Sequence, residues 1–143
     1  MRLMMFNLAL SWGLLILIWL VQVIIYPGFH RIPPDIFIDY HRWYVNRISC
    51  VVLPLMISEA VMTTWWLLDA GTPGAFISTV LVVIVWSSTF LVQVPIHNRL
   101  KSGKKEVLIR RLVATNWIRT IAWSLKSLVI TLTVIKLPFQ LSP

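Results

Sequence analysis

Met5 to Pro27 reads MFNLALSWGLLILIWLVQVIIYP, an apolar run without a single charged residue. About 20 apolar residues, each rising about 1.5 Å in a helix, cross the roughly 30 Å hydrocarbon core of a bilayer. The run is longer than the apolar region of a secretory leader, and no small-x-small cleavage motif precedes Pro27. It therefore reads as a retained span.

Beyond it lie three more such runs: Ser49 to Leu68, Ala75 to Pro95 and Val113 to Leu137. Pro27-Gly28, Gly71-Thr72-Pro73-Gly74 and Ser102-Gly103 punctuate them. With 58% hydrophobic residues, 13% charged and a mean hydropathy of +0.81, the chain lacks the polar surface that a water-soluble globule needs. The expectation is one all-α membrane domain over residues 1–143, a four-transmembrane-helix bundle. Neither an internal repeat nor a low-complexity tract is visible.

Thirteen Lys and Arg against five Asp and Glu give a net charge of +8 and a pI near 10.4. On a soluble face this would suggest nucleic acid, but these cations flank apolar runs, so the expected partner is an anionic lipid surface and not nucleic acid. If the spans alternate, the loops 28–48 and 96–112 share a side and hold Arg31, Arg42, Arg47, Arg99, Lys101, Lys104, Lys105, Arg110 and Arg111. Only Arg2 and Lys136 face the other way. The positive-inside rule then predicts both loops in the cytoplasm and both termini outside, in an inner or cytoplasmic membrane. Cys50, the one cysteine, rules out an internal disulfide or a cysteine metal cluster.

Ile32-Pro33-Pro34-Asp35 is a helix-start signature, and Ile36 to Ile48 mixes aromatic and charged residues without a breaker. The first loop is thus expected to hold an interfacial helix that runs into the second span despite Pro54. Trp43 and Tyr44 suit headgroup depth, and Trp65 and Trp66 an aromatic belt at the far interface. His30 reads as a solvated loop residue.

Ionisable residues inside a span cost a few kcal/mol even on the gentler insertion scales, so their placement carries information. Asn116, Arg119, Trp123 and Lys126 are spaced three, four and three apart, along one face of the fourth helix. Thr89, Gln93 and His97 repeat every four on the third, and Trp19, Gln22 and Tyr26 are spaced three and four on the first. His41 and Glu59, eighteen apart, share a direction if the second helix is continuous. Counting about 1.5 Å per residue inward, Gln22, Gln93, Asn116 and Arg119 fall roughly 5–9 Å deep. Tyr26 and His97 then sit at the mouth, His41 folds over it, and Glu59 lies near Trp123, between Arg119 and Lys126. The expectation is a polar pocket open to the cytoplasm and floored by a buried ion pair. The competing structural reading makes the glutamines and the ion pair interhelical ties. No cofactor is expected. A metal or haem at His41 and His97 is the alternative, but the chain lacks the HxxxH or ExxH spacing that bundle metal sites use.

Gln22-Val-Ile-Ile-Tyr26-Pro27, Tyr40-His41, Val94-Pro95-Ile96-His97-Asn98-Arg99-Leu100 and Thr115-Asn116-Trp117-Ile118-Arg119-Thr120-Ile121-Ala122-Trp123 together resemble the anthrone-oxygenase-like family of small four-helix membrane proteins. The resemblance covers most of the chain through short motifs. Where the family often has asparagine after the third-helix proline, this chain has His97 followed by Asn98. The resemblance implies cofactor-independent oxidation of an activated aromatic: a base removes a proton and the electron-rich anion reacts with oxygen. His97 or His41 would be the base. Arg119 and Asn116 would stabilise the oxyanion. In the pocket read from spacing and depth, Gln22, Tyr26, Gln93, Glu59 and Trp123 are the candidate ligand-binding residues.

Two functional classes fit this sequence. One is an oxidoreductase-like or binding protein for a lipophilic aromatic or quinone-type compound. The other is a non-catalytic membrane subunit or assembly factor, whose polar stripes only hold helices together. A homodimer fits either, and a small transporter is disfavoured because no broken helix or inverted repeat is visible.

Overall fold

The computed structural model describes residues 2–140, and among these every regular element is helical. Four helices are long and apolar enough to cross a membrane: α1 (Arg2–Arg31), α2 (Pro34–Ala70), α3 (Pro73–Leu100) and α4, whose helix runs Glu106–Gln140. The four-span, all-α architecture read from the sequence is the one observed. Its burial pattern inverts that of a soluble protein. Asn7, Gln22, His41, Glu59, Gln93, Asn116, Arg119 and Lys126 are buried, while Ile16, Val23, Leu68, Val83, Leu91 and Ile135 are exposed. A hydrocarbon solvent selects this arrangement, because backbone and side-chain polar groups must then find partners inside the bundle.

The ends of the helices follow their local chemistry. α2 starts with Pro34, where a missing N–H costs nothing. It stays helical through Pro54 to Ala70, so the segment after Pro34 and the second long apolar run form one continuous helix. It stops at Gly71, whose φ of +58° suits a residue without Cβ and whose N–H bonds the Leu67 carbonyl at 3.0 Å. Thr72 then opens α3, its hydroxyl accepting from the Ala75 N–H at 3.3 Å.

Two prolines expected to close helices do not. α1 is α-helical to Leu20, π-helical over Val21–Ile25, and continues through Pro27 into a 3-10 turn at Phe29–Arg31. α3 repeats the device, with a π-turn over Thr89–Gln93, then Pro95 and a further stretch to Leu100. Proline lacks the donor for the carbonyl four residues back and clashes with it. The wider turn absorbs that misfit: the Tyr26 N–H reaches Val21 O and the Val94 N–H reaches Thr89 O, each five residues back. The extra residue in the turn re-aims the side chains after it, Tyr26 on one helix and His97 on the other.

The main core lies toward the basic loops, around Leu14, Ile18, Phe29, Phe37, Met56, Leu112 and Trp123. A smaller one, Trp66, Ala75 and Ile130, sits at the opposite end. Trp66 is thus 2% exposed, a core residue and not part of an aromatic belt. Likewise His30 is not merely solvated. It pairs with Glu106, which Lys104 also contacts at 3.0 Å, and Lys104 Nζ donates to the carbonyls of His30 and Ile32 at 2.8 and 3.0 Å. One cation thereby ties the loop after α3 to the carbonyl end of α1, where positive charge complements the helix dipole.

Candidate functional site

α1 and α4 are stitched by one glutamine. Gln22 Oε1 accepts from Asn116 Nδ2 at 2.8 Å and from Thr120 Oγ1 at 3.3 Å, while its Nε2 donates to the Val113 carbonyl at 3.2 Å. These bonds engage both ends of its amide, so Gln22 and Asn116 serve each other across the helix pair. In-membrane hydrogen bonds contribute about 0.6 kcal/mol each on average, up to about 1.7. Gln22→Leu is therefore expected to lower the unfolding free energy by about 1–3 kcal/mol. Denaturant unfolding in detergent checks this.

Deeper along α4 lies a buried ion pair. Lys126 Nζ stands 3.0 Å from Glu59 Oε1, and both side chains are fully buried. The contact pairs the charges by distance without the angle of a hydrogen bond. The ammonium also donates to Ser11 Oγ at 2.6 Å and Asn7 Oδ1 at 3.2 Å, and Trp123 Nε1 donates to Glu59 Oε2 at 2.9 Å. Glu59, expected to lie between two cations, is thus committed to Lys126 and, among the described residues, leaves Arg119 without a carboxylate.

The internal cavity, of about 350 Å³, opens between α2 and α3, with α1 and α4 behind it. Of the residues singled out by sequence, Tyr26, Gln93, His97 and Arg119 line it; Gln22, Asn116, Glu59 and Trp123 do not, and His41, expected to fold over the mouth, is fully buried behind His97. Leu17, Val21, Val52, Met56 and Val94 make most of the remaining wall apolar. Tyr44, assigned by sequence to the headgroups, lines it as well and is 7% exposed. Its position three residues after His41, on the same helical face, was the signal available for it.

Along one side of the cavity runs a chain of rings. Tyr26 Oη lies 3.1 Å from His97 Nε2, and His97 Nδ1 lies 3.0 Å from His41 Nε2. Phe37 stacks on His41 at 5.5 Å, and Phe29 meets His41 edge-on at 5.6 Å, which keeps His41 fully buried. Its Nδ1 has no partner among the described residues. A tyrosine hydroxyl and two imidazoles each both donate and accept. The chain can therefore point either way, with a proton available at the cavity or at His41.

Arg119 is 5% exposed and lines the cavity. Among the described residues no carboxylate stands within ion-pair distance of it, and its Nε has no partner. Its Cζ sits 5.3 Å from the centre of the Trp123 ring. Gln93 donates from Nε2 to Thr115 Oγ1 at 3.1 Å, while its Oε1 is unpaired among those residues. Beyond His41 and His97, the described residues offer no third His, Cys, Asp or Glu that would complete a metal-binding group.

Fold and cavity together define a polytopic four-helix membrane protein with an internal polar site. Comparison with protein-family models, with curated proteins and with solved structures returns no match.

Proposed function

We propose that the protein binds a lipophilic aromatic or quinone-type compound in the cavity beside Arg119, and that its chemistry is oxygenase-like. One observation carries the reading: a buried guanidinium without a counterion among the described residues faces an apolar-walled cavity that Tyr26 and His97 also line, with His41 bonded behind His97. A lone arginine in a membrane span costs about 2.5–3.5 kcal/mol on insertion scales, and such residues mark ligand or ion paths. A volume of about 350 Å³ falls within the range of small-molecule sites and suits a compound of two or three fused rings. By the positive-inside rule the cavity opens toward the cytoplasmic leaflet, with both termini on the far side.

In this reading His97 removes a proton from an acidic C–H or phenol of the bound ring through the Tyr26 hydroxyl that meets its Nε2, and His41 accepts or returns the shared proton at its Nδ1. Arg119 stabilises the resulting oxyanion. Dioxygen is the oxidant: an activated CH2 and O2 become C=O and water. The resemblance to the anthrone-oxygenase-like family points to the same class of reaction.

A non-catalytic membrane subunit is the second reading, favoured by the Gln22 and Glu59–Lys126 ties, which join helices away from any ligand. The gently purified protein and its Arg119→Met variant separate the two, by optical spectrum and by mass spectrometry of organic-soluble material and metal. A site for a ligand predicts a copurifying compound that the variant loses, while the variant is at least as thermally stable as the parent stripped of that compound, because an uncompensated buried charge has been removed. A structural arginine predicts no compound and a less stable variant.

A further inference from the structure

Resting on the reading of the cavity as a ligand site, we infer that its ligand binds as an amphipathic monoanion, a carboxylate or phenolate on an apolar ring or chain, with Arg119 as its counterion. The charges around the cavity point this way. Among the described residues no Asp or Glu lines it, while Arg119 lies in its interior and exposed Lys101 at its basic-loop end. The acidic residue nearest in depth, Glu59, is held by Lys126 and Trp123. A neutral ligand would leave the guanidinium charge uncompensated in a region of low dielectric, whereas an ionised oxygen accepts from it in a charge-assisted hydrogen bond. Tyr26 also lines the cavity, and its hydroxyl, accepting from His97 Nε2, is able to donate a second bond to the same oxygen.

The way in is lateral. Leu53 on α2 and Phe90 and Val94 on α3 line the cavity and are also 46%, 49% and 38% exposed, so the cavity opens along a seam between two helices. An amphipathic anion lies at the interface with its charge among headgroups and its apolar part in the chains. From there Lys101 meets the charge first and Arg119 receives it. The same chemistry could reach the site from lipid, as a chain carboxylate, or from the cytosol, as an aromatic acid.

Two acid and ester pairs test this with the full chain in lipid nanodiscs: 1-hydroxy-2-naphthoate with its methyl ester, and decanoate with its methyl ester. Binding is read by calorimetry or quenching of tryptophan fluorescence at a pH where both acids are ionised. At least one acid is expected to bind tenfold or more tightly than its ester, and the stronger pair identifies the source. Arg119→Gln is expected to erase that ratio, and Arg119→Lys to retain part of it. An ester that binds as well as its acid, or a ratio unchanged in Arg119→Gln, overturns the anion inference and leaves the pocket standing. Failure of all four probes to bind overturns the pocket reading, and this inference with it.

Discussion

Replacing Lys126 with methionine is expected to lower the unfolding free energy by about 3–5 kcal/mol, the cost of stranding one member of a buried ion pair. Methionine has similar length and leaves no large void, so the loss reports charge and not packing. Glu59 would then be fully buried with only the Trp123 indole as donor, and Asn7 Oδ1 and Ser11 Oγ would each lose the ammonium that they contact at 3.2 and 2.6 Å. The double variant Glu59→Gln, Lys126→Met is expected to recover most of the deficit, since no unpaired charge remains. Chemical unfolding in detergent measures all three proteins. A Lys126→Met variant as stable as the parent would show that the pair contributes nothing net, and a double variant no better than the single one would place the deficit in packing.

This pair was visible in the sequence because charges in a span are few and helical spacing is rigid. Eighteen residues from His41 to Glu59 put both on one face only if α2 is unbroken, and it is unbroken through Pro54. The four-helix architecture was legible for the same reason: each span carries its own hydropathy signal, independent of tertiary contacts. Which partner a buried charge selects was not legible. Glu59, placed by depth between two cations, could join either, and the choice of Lys126 depends on Asn7 and Ser11 arriving from α1 to complete its shell. Nor was the division of labour among the stripe residues. Gln22 and Asn116 share a level with Arg119, but the two amides bond each other while the guanidinium has no carboxylate beside it among the described residues. The two π-turns escaped for a different reason. Proline signals a missing donor, and a helix can either end there or widen by one residue. Tertiary packing decides between these, and widening is what brings Tyr26 to within 3.1 Å of His97.

A large effect is also expected at His97, through a substitution that keeps its contacts and removes its proton chemistry. Glutamine places an amide oxygen and an amide nitrogen near the two imidazole nitrogens, so it can still meet Tyr26 Oη and His41 Nε2, which lie 3.1 and 3.0 Å from His97. An amide neither gains nor gives a proton near neutral pH. If His97 only joins α1, α2 and α3, His97→Gln retains stability, ligand and any turnover of the copurified compound. If His97 is the base of the proposed reaction, the variant binds the compound as the parent does but consumes dioxygen about 10²–10⁴-fold more slowly, the usual contribution of a positioned general base. His97→Phe adds a contrasting arm. It breaks both hydrogen bonds and leaves His41 fully buried with neither nitrogen paired, since Nδ1 already lacks a partner among the described residues. That variant is expected to lose about 1–3 kcal/mol of stability as well as turnover. Oxygen uptake, ligand content and unfolding measured on the same three proteins therefore assign His97 to catalysis or to assembly, because only the glutamine variant separates the two.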